Sequence, residues 1–460
     1  MALSSLRPHV RPTLLLAYPV VLSQLGHILV SVCDSVMVGQ TGTVPLAAVS
    51  LGVSITTVVM MLGLGLSMGI TPLVAAADGQ GNTKHLGELL TNGVVLCAVA
   101  GVLLAGLGWL IAPLLRHLDQ PAAVVQLALP WARVVFLSLI PLMVFQGFKQ
   151  FAEGLGLTRQ AMQLSVLANV LNAVLCYVLI FGNFGALRLG MMGAAWATLV
   201  ARTLMAILMA AYVLRAPRLA VYRAAAGHWL RPVGAVQRRL LGLGLPIGVQ
   251  MIFEVGAFGF SAIMVGWIGA TAQAAHQIAI NVASVTYMAA SGIGAAATIR
   301  VGNLLGLGDR AGARHAGYTA YLLTFAFMST MALLLIAGRA WVPQFYNHDP
   351  AVAAQAVTLL LIAALFQVSD GLQVVGLGAL RGLHDVKIPS VVALLAYWAA
   401  ALPLGYFLGF VLGWGATGVW IGLLVGLSLV AGLLLYRFGR LSTTSVAPAR
   451  SVNEPAGILR

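Results

Sequence analysis

Long runs of apolar residues, each closed by a short polar stretch, fill the chain from its first residues to about Arg440. About twelve of them reach or exceed the ~18 residues that cross a bilayer core. They lie at 13–38, 47–77, 89–115, 125–148, 160–183, 190–214, 240–267, 273–304, 315–339, 351–379, 388–412 and 415–436. Continuous runs of this length predict membrane helices, whereas a transmembrane barrel would alternate apolar and polar positions in segments of about 10 residues. The longest polar break, "RAPRLAVYRAAAGHWLRPVGAVQRR" from Arg215 to Arg239, separates six runs from six. The expected organisation is an N-terminal bundle at 1–214, a cytoplasmic linker loop at 215–239, a C-terminal bundle at 240–440 and a disordered tail at 441–460. The first run follows a basic head like that of a signal peptide. It continues too far, without a clear small-residue cleavage site, and reads as the first span.

Composition agrees with the pattern. The chain is 60% hydrophobic and 8% charged, against about 25% charged in soluble domains. A soluble fold is excluded. The net charge of +14 would point to nucleic acid in a soluble protein, but here the basic residues sit mostly in loops. They read as topology signals and contacts to anionic membrane lipid, and no nucleic-acid partner is expected. One set of loops holds Arg7, Arg11, Lys84, Lys149, Arg159, the arginines of the central break, Arg310, Arg314, Arg381, Lys387, Arg437 and Arg440. The alternate set holds Arg116, Arg188 and Arg339. The positive-inside rule therefore places both termini and the linker in the cytoplasm, in an integral protein expected in a bacterial inner membrane. Cys33, Cys97 and Cys176 lie in apolar runs without CxxC spacing and read as small core residues. Glycine-rich stretches such as "GLGLSMG" lack the GK[ST] ending of a phosphate loop, and among 52 glycines they read as helix-packing sites.

The two halves resemble each other. "PVVLSQLGHILVSVCDSVMVG" from Pro19 aligns with "PIGVQMIFEVGAFGFSAIMVG" from Pro246, and the register continues without a gap through Thr71 on Thr298, Gly79 on Gly306 and Gly81 on Gly308. Each half has an even number of spans, so the repeat is parallel, related by an axis along the membrane normal. The expected architecture is all-α: twelve transmembrane helices in two pseudosymmetric six-helix bundles around a central cavity.

Three carboxylates fall inside runs: Asp34, Glu254 and Asp370. An acid at a helix centre costs roughly 2.5–3.5 kcal/mol to insert, and such residues usually face a bundle interior or a wet cavity. Arg133 and Arg202 also lie within runs, too few to neutralise three acids one to one. In the repeat register Asp34 falls on Ser261 and Glu254 on His27, seven residues apart, about 10 Å in depth. Each half thus carries its own ionisable position, which points to two jobs. A carboxylate in a low-dielectric site can take a proton, hold Na⁺ among oxygen ligands, or pair with an organic cation. Where these occupancies exclude one another, ion binding releases the organic cation, which is the minimal chemistry of antiport.

These stretches, with "AAHQIAINVASVTYMAASGIGAAATIRVGNLLG" from Ala274, "NVLN" from Asn169 and "FQVSDGLQVVGLGALRG" from Phe366, resemble the multidrug and toxic compound extrusion (MATE) family in its NorM-type branch. The resemblance covers roughly Arg11 to Arg440. It implies cation-coupled export of amphipathic organic cations, with Na⁺ or H⁺ as the coupling ion and no other cofactor. It places coupling-cation binding on Glu254 and Asp370, with Tyr287 near Glu254, so that Na⁺ would sit at these three. It gives Asp34 both a substrate and a coupling role. It adds Gln277, Asn172 and an acidic position in the loop before the tenth span to the substrate contacts. That loop reads "YNHDP" here, with Asp349 alone acidic beside His348, which would make the outer contact sensitive to pH. Aromatic and methionine residues near the acids, Phe253 foremost with Phe258, Met60, Met61, Phe366 and Tyr397, are candidates to line a drug cavity. His27 and His276 read as packing or hydrogen-bonding residues.

The runner-up is a lipid-linked oligosaccharide flippase of a related fold, for which anionic head groups would favour a basic cavity rather than an acidic one. An intramembrane enzyme is not expected, since no protease motif or HExxH is present. A channel would need no coupling site. A monomer is expected.

Overall fold

The computed structural model describes residues 5–117, 120–185, 187–225, 232–346 and 349–443. The sequence readings that fall on His348, on Arg231 of the linker and on the tail beyond 443 lie outside the described residues. Twelve helices are long and apolar enough to cross a membrane. They are α1 (Arg7–Gly39), α2 (Thr43–Gly79), α3 (Thr83–His117), α4 (Ala122–Gly154), α5 (Thr158–Phe181), α6 (Met191–Arg215), α7 (Gly234–Ile268), α8 (Ala270–Gly306), α9 (Arg310–Gly338), α10 (Pro350–Gly382), α11 (Lys387–Val411) and α12 (Ala416–Leu441). Each coincides with one of the apolar runs. Most extend beyond it, because the polar end turns are helical too. No strand occurs among the described residues.

This extension moves most of the loop-assigned basic residues onto helix ends, Lys149 and Arg381 among them. Lys149 lies within α4, 3.6 Å from the buried Glu153. Arg381 lies in the last turn of α10. Cys33 is likewise exposed on α1 rather than packed in a core, whereas Cys97 and Cys176 are buried.

Proline shapes the helices locally, because it lacks an N–H and leaves a carbonyl one turn earlier without its helical partner. In α2 the regular helix breaks at Met68–Gly69, four and three residues before Pro72. In α4 it breaks at Ser138, three residues before Pro141. Around Pro403, α11 widens into π-helical segments at Ala396–Ala401 and Phe407–Val411.

The internal repeat is visible in the packing. A Cβ on Gly65 of α2 would overlap the backbone of Gly248 on α7. In the repeat register the same contact is Gly292 of α8 against Val21 of α1, where a Cβ would also overlap. A Cβ on Gly79 would meet the Asn303 carbonyl, and one on Gly306 would meet the Ala76 carbonyl. These are reciprocal contacts about a pseudo-two-fold axis, and glycine lets the backbones approach this closely. The loops that follow also match. Gly81 and Gly308 hold left-handed φ of 64° and 78°, a conformation that suits glycine. Asn82 and Asp309 then cap the next helices by accepting from His85 N (3.0 Å) and Gly312 N (2.8 Å).

All of these inter-bundle contacts lie toward the helix ends that carry the N-terminus and the linker. On α7, Gly244 and Gly248 meet α2, but farther along nothing approaches Gly259 within 4 Å. The bundles therefore close against each other on the terminal side and part on the opposite side. Asn303 Nδ2 donates to Asp78 Oδ2 (2.9 Å) and Arg300 Nη2 meets His9 Nδ1 (3.0 Å), joining the bundles at that closed end.

Candidate functional site

The structure brings Glu254 and Asp370 together inside the C-terminal bundle. Glu254 on α7 is 9% exposed and Asp370 on α10 is 4% exposed. Gln373 Nε2 donates to Glu254 Oε1 (3.2 Å), and Gln250 Nε2 donates to Glu254 Oε2 (3.4 Å). The Tyr397 hydroxyl donates to Gln373 Oε1 at 2.6 Å, which turns the Gln373 amide nitrogen toward Glu254. Tyr397 lies in the first π-helical segment of α11, a distortion that often marks functional positions. Arg381 Nη2 donates to Gln250 Oε1 (3.5 Å) from the terminal side. Tyr287 on α8 lies within electrostatic reach of both acids.

Asp370 Oδ1 is buried without a hydrogen-bond partner. A buried polar atom left unpaired is costly. Glu254 also lies within electrostatic reach of Asp370, and like charges in a low-dielectric interior repel each other. A bound cation or a proton relieves both penalties. The oxygens left to a cation here are those of the two carboxylates and the Tyr287 phenol, since the Gln250 and Gln373 oxygens accept from Arg381 and Tyr397, and oxygen ligands suit a hard cation. Among the described residues there is no cluster of three or more His, Cys, Asp or Glu side chains that could hold a metal ion.

A second polar cluster lies in the N-terminal bundle. Asn172 on α5, oriented with its amide nitrogen toward Asp34, donates to both carboxylate oxygens at 3.2 Å. Cys176, one turn further on, places its Sγ 3.9 Å from the Asn172 side-chain amide. Arg202 on α6 acts electrostatically on Asp34 without forming an ion pair. Its Nη1 donates instead to Ser138 Oγ (2.7 Å), at the break in α4, and its Nη2 rests 3.7 Å from Met60 Sδ. Arg133 has a different place, over the Trp109 ring at 5.4 Å. The three membrane acids thus divide into a pair in one bundle and a single residue in the other.

Other residues singled out in the sequence do not join these clusters. Gln277 is exposed on α8 and donates to Asn281 (3.0 Å) one turn away. It lies ten residues before Tyr287, about 15 Å along the helix. Asp349 caps α10, accepting from Ala351 N at 2.9 Å. It is twenty-one residues from Asp370, about 30 Å along the same helix. Phe253 packs edge-on against Trp398, and its carbonyl accepts from Trp398 Nε1 (3.0 Å). Phe366 and Tyr397 are each 1% exposed and pack in the core with Phe258, so these two do not line a cavity. His276 accepts from Trp420 Nε1 (3.1 Å) in the core. The sequence reading missed Gln250 and Gln373, took Arg381 only as a topology marker and took Cys176 only as packing.

Comparison with known proteins fits this arrangement. The MatE family model matches residues 19–178 and again 246–407, so the two matches begin at the prolines that set the internal register. A probable multidrug resistance protein NorM from Rhodopseudomonas palustris is 38% identical over 97% of this chain and 95% of its own length. A multidrug resistance protein NorM from Burkholderia vietnamiensis is 37% identical over 97% of this chain and 96% of its own. A crystal structure of a mutant of the Vibrio cholerae MATE transporter VcmN superposes with a TM-score of 0.85, covering 95% of this chain and 98% of that one at 20% identity.

Proposed function

Because the chain belongs to the MATE family, in its NorM-type branch, we propose that it is a secondary antiporter exporting amphipathic organic cations in exchange for Na⁺ or H⁺. The observation that carries this reading is the buried Glu254–Asp370 pair with its unpartnered Asp370 Oδ1. The coupling ion occupies this pair beside Tyr287, and no other cofactor takes part. Asp34, oriented by Asn172, supplies the anionic contact for the organic cation in the other bundle.

The basic loops put the closed, terminal end of the molecule in the cytoplasm. The conformation is then outward-facing. Glu254 lies six residues beyond Gly248 and Asp34 thirteen beyond Val21, about 9 and 20 Å past the closure. Both acids sit on the open side, where an ion arriving from outside meets them. Ion binding to the C-terminal bundle releases the organic cation outward, and reversal of the closure resets the cycle.

Everted membrane vesicles given a fluorescent organic cation in the outer medium test the reading. An imposed Na⁺ or pH gradient should drive dye transport, and the gradient that does so names the ion. Transport insensitive to both gradients would overturn it. A flippase of related fold would give no resistance to hydrophobic amines.

A further inference from the structure

On the outer face of the C-terminal bundle a groove of about 450 Å³ runs between α7 and α11, within the ~300–1,000 Å³ range of ligand pockets. Its walls are Leu241, Leu245 and Val249 on α7 and Val391 and Leu394 on α11. Leu241, Leu245, Val249 and Val391 are 39–53% exposed, so the groove opens sideways. From Leu241 to Phe253 it follows twelve residues of α7, about 18 Å. That is close to one leaflet of a bilayer whose apolar core is ~30 Å thick.

The two ends differ. Lys387 stands at the terminal end of the groove and forms no ion pair among the described residues. Asp385, the carboxylate nearest to it in sequence, is held by Arg437 at 2.5 Å. Arg238 is exposed on the α7 face that continues through Gly242, Leu245 and Val249, at the same end. Pro246 has no N–H, so the Gly242 carbonyl in the groove lacks its helical partner and offers an acceptor beside these cations. The rest of the lining is apolar apart from Ser390, whose hydroxyl is spent on the Pro246 and Val386 carbonyls (3.2 and 2.8 Å), and Gln250.

We propose that this groove is a binding site for one anionic phospholipid, its phosphate at Lys387 and Arg238 and an acyl chain laid along α7. The basic end repels an organic cation, so the groove is a poor entry for the exported compounds. Gln250 lines the groove and also donates to Glu254 and accepts from Arg381. A chain seated there touches the side chain that bridges these two charges. This last link rests on the reading of Glu254 as the coupling site, but the lipid site itself does not.

Native mass spectrometry of the purified full-length protein, given equal amounts of phosphatidylglycerol and phosphatidylcholine with the same acyl chains, tests the site directly. The wild type should retain phosphatidylglycerol in preference. Lys387→Gln and Arg238→Gln should each reduce that preference roughly fivefold, the effect of one basic residue near an anionic surface. Lys387→Arg should preserve it. Val391→Trp, which fills the groove, should lower retention of both lipids. The proposal fails if the wild type shows no headgroup preference, or if the double charge variant keeps it. It also fails if a lipophilic cationic dye displaces the bound lipid, for then the groove is a substrate portal.

Discussion

Arg381 and Glu254 are joined by a single amide. Arg381 donates to Gln250 Oε1 at 3.5 Å, and the Gln250 nitrogen donates to Glu254 Oε2 at 3.4 Å. The guanidinium lies on the closed side of the carboxylate and forms no direct ion pair with it. It therefore sets the field at the proposed ion site without filling it.

Removing that charge should strengthen cation binding. Arg381→Met is expected to lower the half-activating ion concentration for dye efflux by about tenfold, the ~1.4 kcal/mol of one charge–charge interaction at intermediate dielectric. Arg381→Lys should stay near wild type. An unchanged ion dependence in the Met variant would remove Arg381 from the site.

Tyr397 acts one step further out. Its hydroxyl orients Gln373, which in turn donates to Glu254. Tyr397→Phe should cost about 1 kcal/mol, a typical hydrogen bond, and appear as a roughly fivefold weaker ion affinity. Dye affinity measured without the coupling ion should not move. A loss confined to dye affinity would contradict this assignment.

In the other bundle, Asn172 holds both oxygens of Asp34. Asn172→Ala should raise the KM for a cationic dye several-fold. The cost in stability should be small, since interhelical hydrogen bonds in membranes contribute about 0.6 kcal/mol. Because Asn172 and Glu254 lie in different bundles, the ion affinity of this variant should match wild type. Equal changes in dye and ion affinity would argue for one shared site.

Gly65 and Gly248 set the closure. Gly65→Leu places a side chain where only backbone fits, a cost of about 1–3 kcal/mol of overpacking. The expected result is a shift away from this conformation, seen as a longer spin-label distance across the terminal side. An unchanged distance distribution would show that the closure does not depend on this contact.

Much of this was legible in the sequence. The twelve helices follow from apolar runs alone, because lipid demands continuous hydrophobicity. Asp34, Glu254 and Asp370 stood out for the same reason. The repeat was readable because Gly79, Gly81, Gly306 and Gly308 answer the same backbone demands in both halves. The shell around the acids was not, because Glu254, Gln373 and Tyr397 come from three helices. One signal was present: Gln250 precedes Glu254 by one helical turn, and Gln367 and Gln373 flank Asp370 at three residues, which places each on its acid's face. Arg381 was hidden by its position. A basic residue in the last turn of a span reads as a topology marker, and only its hydrogen bond to Gln250 of α7 shows that it turns inward.

The central claim is that the Glu254–Asp370 pair binds the coupling ion and that this binding releases the organic cation. The most direct measurement titrates Na⁺ and, separately, H⁺ into purified protein holding a fluorescent organic cation, and follows dye anisotropy. The wild type should release dye as one of the two ions rises. Glu254→Gln and Asp370→Asn should bind the dye through Asp34 yet need a roughly 5- to 150-fold higher ion concentration to release it, the range of ordinary coupling between sites. Release at the wild-type concentration in both variants would contradict the account and move the coupling to Asp34.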